Sequence, residues 1–184
     1  MKQRFVLGTL AMVAAGLTGT ALAAGPEYHT VQMQIDVNRP AAEVWALVGN
    51  YCDISKWRDM DCKIASGDGG IGTVRILRGG QITEIMVGKT ALSYGYTQPV
   101  QPGQFYNLYH GYLEAAPLSA KTSRLTYTIM LDESDKPDQA AKDADLARRR
   151  ASFEDALKNM KALAEGTSKG ATKGAGAPKT AAPK

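Results

Sequence analysis

Asp138–Glu165, DQAAKDADLARRRASFEDALKNMKALAE, reads as one long helix near the C-terminus. It holds no proline or glycine and is rich in Ala, Leu, Lys, Arg and Glu, the strong helix formers. Asp135 and Asp138 flank Pro137 at its start, and Gly166 follows its end. Leu146, Phe153, Leu157, Met160 and Ala164 recur at helical spacing and make a single apolar stripe. A helix of this length reaches roughly 42 Å. With one apolar side, it needs a broad apolar surface to lie on.

The upstream chain supplies strands. Tyr28–Val37 alternates Val31, Met33, Ile35 and Val37 with Thr30, Gln32, Gln34 and Asp36, the signature of a half-buried strand. After Asn38-Arg39-Pro40, residues 41–48 (AAEVWALV) predict a short helix, and residues 52–57 a second. Residues 72–77 and 81–87 flank Gly79-Gly80, a hairpin signal. In that register Leu77 faces Ile82 and Arg75 faces Glu84, and both pairs share one side of the sheet with Met86. Residues 91–97 put Leu92, Tyr94 and Tyr96 on one side, and strands are expected over 105–116 and 123–132. About seven antiparallel strands, two short helices after the first, and a terminal helix make an α+β fold, with the helix against the concave side of the sheet.

The two ends stand apart. Lys2 and Arg4, an apolar run from Phe5 to Leu17, and Ala21-Leu22-Ala23 predict a secretory signal peptide over 1–23. A membrane anchor is the alternative, but the run is short for a span of about 20 residues. An exported chain beginning near Ala24, periplasmic or secreted, is therefore expected. Residues 166–184 contain no large apolar side chain and predict a disordered basic tail. That tail is either merely solvated or makes weak contact with an anionic surface or an acidic partner. The formal charge of +4 belongs to the ends. Without Lys2, Arg4, Lys169, Lys173, Lys179 and Lys184, 16 basic residues face 18 acidic ones, which removes the main support for nucleic-acid binding.

Ser66–Val74, SGDGGIGTV, is a glycine-rich turn placed after two short helices and before a hairpin. Together with Asn38-Arg39-Pro40-Ala41-Ala42-Glu43-Val44-Trp45, it resembles the Bet v 1-like, START-related (SRPBCC) superfamily, in its bacterial polyketide cyclase/dehydrase and lipid-transport branch. The resemblance runs from about Tyr28 to Glu165, within an expected domain of residues 24–165. It implies a helix-grip fold with an apolar cavity between sheet and helix, into which Arg75, Tyr94 and Tyr96 point. It also implies that the glycine turn is a mobile element at the cavity mouth; a purely structural turn is the other reading. The turn lacks the Lys-Ser/Thr of a phosphate-binding loop and precedes a strand.

Cys52 and Cys62, the only cysteines, are expected to form a disulfide in an exported protein. Arg75 and Glu84 on the inner side would form a buried ion pair orienting the polar end of a ligand. On the outer side they would be a surface pair worth about 0–1 kcal/mol. Tyr94, Tyr96, Tyr109 and Tyr127 would offer rings and hydroxyls, with Phe153 and Leu157 closing the cavity from the helix; core packing alone would also explain each. Arg148-Arg149-Arg150 reads as the solvated side of the helix. His29 and His110 have no sequence-evident catalytic partner, and no triad, metal motif or cofactor fingerprint is present. The expected function is binding of a small hydrophobic or amphipathic ligand as a carrier, sensor or accessory protein. The alternatives are a cyclase/dehydrase-like enzyme using the same cavity and a periplasmic accessory protein docking a redox enzyme.

Overall fold

In the computed structural model, residues 25–103 and 108–167 are described. The expected signal peptide, most of the expected tail and the first residues of the strand predicted from 105 lie outside them. The elements run β1 (Tyr28–Val37), α1 (Ala41–Val48), α2 (Ile54–Trp57), β2 (Cys62–Ser66), β3 (Val74–Leu77), β4 (Ile82–Lys89), β5 (Ser93–Thr97), β6 (Tyr109–Pro117), β7 (Ser123–Asp132) and α3 (Gln139–Glu165). The strands form one curved antiparallel sheet in the order β1-β7-β6-β5-β4-β3-β2, with the long helix after it. This is the expected helix-grip architecture.

The 27 residues of α3 are punctuated as their sequence implies. The Asp138 carboxylate accepts the Ala141 N–H at 2.8 Å, and Gly166 closes the helix in the left-handed region at φ 71°. Phe153, Ala156, Leu157, Met160 and Ala164 are buried against the sheet. Each large side chain among them contributes about 1.5–3 kcal/mol of transfer free energy. The stripe begins late: Leu146 is only half-buried, and the first three turns bury no side chain fully. The C-terminal end is tied down, because Glu165 accepts the Asn38 N–H at 2.8 Å and Lys161 donates to the Asp36 carbonyl at 2.6 Å.

The inner side of the sheet is filled by alternate residues, such as Val31 and Met33 of β1 or Leu125, Tyr127 and Ile129 of β7. In the β3–β4 hairpin Leu77 lies opposite Ile82 and Arg75 opposite Glu84, the expected register. The connection is looser than a two-glycine bend. Arg78–Gly80 makes one 3-10 turn, with Arg78 itself in the left-handed region at φ 51°. The second short helix starts at Ile54 rather than Cys52, because Asp53 accepts the Asn50 N–H at 2.9 Å and closes a turn first.

Cys52 and Cys62 are joined by a disulfide linking the segment before α2 to the start of β2. The short loop it closes ends in Asp61, whose carboxylate takes the Gly79 N–H at 3.0–3.1 Å. Replacing both cysteines by serine is expected to lower stability by roughly 2–3 kcal/mol, read as a shift in the urea midpoint.

Candidate functional site

The sheet's polar centre is Arg75, which is 0 % exposed. Its register opposite Glu84 puts both side chains on the inner side. Arg75 Nε and Nη2 reach Glu84 Oε2 at 2.7 and 2.6 Å, and Arg75 Nη1 donates to the Tyr51 carbonyl. The guanidinium lies over the rings of Tyr51, Tyr96 and Tyr94, at 4.1, 5.0 and 5.6 Å from their centroids. Burial pushes the Glu84 carboxyl up, while Arg75, with help from a hydrogen bond to Gln98, pulls it back down. At these distances the pair is a charge-assisted ion pair.

Beside this centre, between the first half of α3 and the sheet, lies a pocket of about 190 Å³. Glu84, Tyr96, Tyr109 and Tyr127 make its polar floor, and Ile54, Met60, Leu77, Ile82 and Phe153 its apolar walls. Arg58, Arg78, Arg148 and Arg149 stand among the remaining lining residues with Gln98 and Ser152. The Tyr96 and Tyr127 hydroxyls bond each other at 2.9 Å, and the Tyr127 ring packs 4.6 Å from Phe153. Tyr96 has room to lie flat on the sheet because position 111 is glycine: a Cβ there would sit 2.2 Å from the Tyr96 ring. Burial pushes the Tyr109 hydroxyl up to about 12, against a hydrogen bond with Tyr96 that lowers it. Burial raises Tyr96 and Tyr127 as well. These phenols are therefore neutral donors and acceptors at physiological pH rather than bases.

Five of the eight predicted ligand-binding residues thus meet at the pocket: Glu84, Tyr96, Tyr109, Tyr127 and Phe153. Arg75, Tyr94 and Leu157 do not line it. Arg75 stands behind Glu84. Tyr94, two residues from Tyr96 on the same side, falls under α1 and packs against Trp45 and Tyr51 at 5.7 and 5.4 Å. Leu157 is a core residue one turn further along α3. The glycine turn of residues 67–72 also lies elsewhere. It joins β2 to β3 at the Val74 end, whereas the pocket opens at the opposite end of β3, beside Leu77 and Arg78.

The arginines are what the sequence reading missed. Arg149 turns in to line the pocket, and Arg148 borders its mouth with its side chain largely exposed; Arg150 also faces solvent, as expected, and donates to the Gln32 carbonyl. The signal was present, since Arg149 lies one turn before Phe153 and therefore on the apolar stripe. Arg58 is held across the gap between α2 and α3, where it donates to the Ser152 carbonyl at 3.3 Å and to the Ser152 hydroxyl. Its guanidinium lies 4.5 Å from the centre of the Phe153 ring.

Residues 28–165 match the family described as polyketide cyclase / dehydrase and lipid transport. The chain belongs to that family. No curated protein matches it. Among solved structures of similar fold is the Zhui aromatase/cyclase from a Streptomyces species, at 19 % identity and TM-score 0.58, covering 76 % of this chain and 94 % of that one. Ara h 8.0201 matches at 15 % identity and TM-score 0.55, covering 76 % and 99 %. A solution structure from Thermobifida fusca matches at 24 % and 0.56, covering 75 % and 92 %. The suspected Bet v 1-like family and fold are thereby shown. Family and fold together are those of proteins that bind hydrophobic ligands or resemble polyketide cyclases. Among the described residues, no helix is long and apolar enough to cross a membrane.

Two outcomes follow from the site's electrostatics. Arg75→Met leaves Glu84 buried without its partner and is expected to cost about 3–5 kcal/mol in urea unfolding, while Arg75→Met/Glu84→Leu recovers most of it. At Asp145 burial alone would raise the carboxyl, but hydrogen bonds from Arg149 and Arg148 outweigh it and hold it at about 2. A depressed carboxyl stabilises above its unfolded value near 3.8 and loses that contribution as pH falls. Asp145→Asn is thus expected to be less stable than wild type at pH 7, with the gap closing towards pH 2 in a pH series of melting curves.

Proposed function

We propose that this is an exported binding protein that holds a small amphipathic ligand in the pocket between α3 and the sheet. The observation that carries the reading is the pocket itself: a hollow with an apolar side of Ile54, Met60, Leu77, Ile82 and Phe153, a hydrogen-bonding floor of phenols and Glu84, and arginines around it. Its roughly 190 Å³ is several times the 30 Å³ or so that one water occupies in the liquid. It falls below the roughly 300–1,000 Å³ of pockets for drug-sized ligands. The cargo is therefore small, or leaves part of itself at the mouth. The predicted signal sequence, supported by the presence of a disulfide, favours an oxidising compartment outside the cytoplasm.

A cyclase/dehydrase-like activity has less support from the geometry. Arg75, the group suited to polarising a carbonyl, is enclosed behind Glu84 and three tyrosine rings, and Glu84 is engaged by it. The tyrosines are raised by burial and poorly suited to taking a proton near neutral pH. Docking to a redox enzyme through the tail would rest on residues outside the described ones.

Native mass spectrometry of the protein purified gently from its own host tests the binding reading. The expected result is a polypeptide mass beginning at Ala24 together with a reproducible co-purifying small mass. Phe153→Ala, which opens the apolar wall, should release that mass while the polypeptide stays folded. A consistently empty wild-type protein would argue against the reading.

A further inference from the structure

We propose that the ligand carries a carboxylate head, bound at the pocket mouth by Arg58 and Arg78; this rests on the pocket being a ligand site. Four arginines line the pocket, and the only carboxylate among the lining residues, Glu84, is already neutralised by Arg75. Arg148 and Arg149 are likewise committed, since both bond the Asp145 carboxylate. Among the described residues, Arg58 and Arg78 make no ion pair with a carboxylate. The mouth therefore has two guanidinium groups with no ion-pair partner among the described residues, beside apolar side chains that concentrate their field on whatever enters.

Arg58 is held by side-chain contacts, and Arg78 stands on a constrained backbone. Arg58 is fixed through Nη2 by Ser152 and by the Phe153 ring, which leaves its Nε and Nη1 donors for a carboxylate oxygen. Arg78 sits at φ 51° and is the only non-glycine with a positive φ among the described residues. That conformation is uncommon for a side chain of its size and tends to persist where the surroundings enforce it. Here they do: the neighbouring Gly79 N–H is clamped by Asp61, so the nearby carboxylate is spent on the backbone and not on the Arg78 guanidinium.

A second hollow of about 220 Å³ adjoins the first and shares Arg58, Met60, Arg78 and Ser152 with it. Its other wall carries Asp59 and Asp155. Those acids oppose an anion on the outer side, which places the head on the inner side of the arginines and the apolar body against Phe153 and Tyr127. A neutral head would forgo the charge-assisted bonds, and a cationic one would be repelled.

Calorimetric titration of the full mature chain with octanoate, octan-1-ol and acetate tests this. Octanoate is expected to bind about tenfold or more tighter than octan-1-ol at low salt, the difference one or two charge-assisted hydrogen bonds provide. High salt should weaken octanoate and leave octan-1-ol unchanged. Arg58→Gln and Arg78→Gln should each weaken octanoate several-fold with octan-1-ol little altered; Arg78→Gln, on an exposed turn, guards against a folding defect from losing the Arg58–Phe153 contact. Equal affinity for octanoate and octan-1-ol would overturn the carboxylate head and leave the pocket reading standing. Acetate binding as tightly as octanoate would overturn the amphipathic ligand and leave a bare anion site. Absence of saturable binding by all three would overturn both.

Discussion

The ion pair between Arg75 and Glu84 constrains everything around it. A full charge at 0 % exposure is tolerable only if every surrounding element is in place. The β3–β4 register must set the two residues opposite each other, the turn before α2 must offer the Tyr51 carbonyl, and β5 must bring Tyr94 and Tyr96 alongside. A slip of one residue in either strand would send that strand's charge to the other face and leave its partner unpaired. The pair is therefore better understood as a device that specifies one arrangement of strands and short helices than as a source of net stability.

That constraint also shapes the pocket. Because Glu84 is held from behind by Arg75, it presents a fixed, compensated oxygen to the cavity floor instead of an unpaired charge. The neighbouring phenols are locked in the same way, by the Tyr96–Tyr127 hydrogen bond and by the glycine that lets Tyr96 lie against β6. A rigid polar floor under apolar walls suits selection of a ligand by shape and orientation. The glycine turn before β3 stands at the other end of that strand.

Why there is a hollow at all follows from α3. Its apolar stripe is complete from Phe153 to Ala164, where the helix lies against the sheet, and interrupted by Arg149 one turn earlier. There Arg149 turns to Asp145 and lies over the Tyr109 ring, 5.7 Å from its centre, and the pocket stays open beside it. The Asp145–Arg148–Arg149 cluster occupies one side of the opening, and Arg58, anchored to Ser152, the other.

Much of this was legible in the chain as written. The helical stripe of α3, the period-two alternation of β1, the Arg75–Glu84 register and the cysteine pair are local patterns, set by backbone repeat and by residues close in sequence. Those patterns were enough for the order of elements, the fold class and the placing of Arg75 and Glu84 on a common side, but whether that side faces the core was decided only by the tertiary structure. They could not say which inward residues border empty space. Tyr94 and Tyr96 are indistinguishable by alternation, yet one is roofed by Trp45 and Tyr51 and the other opens on the pocket. No local pattern marks Arg58 or Arg78, which line the pocket only because the α2 loop and the hairpin turn face the same stretch of α3. A cavity is what remains between elements after packing, so its lining depends on distances across the whole sheet, which no local period encodes.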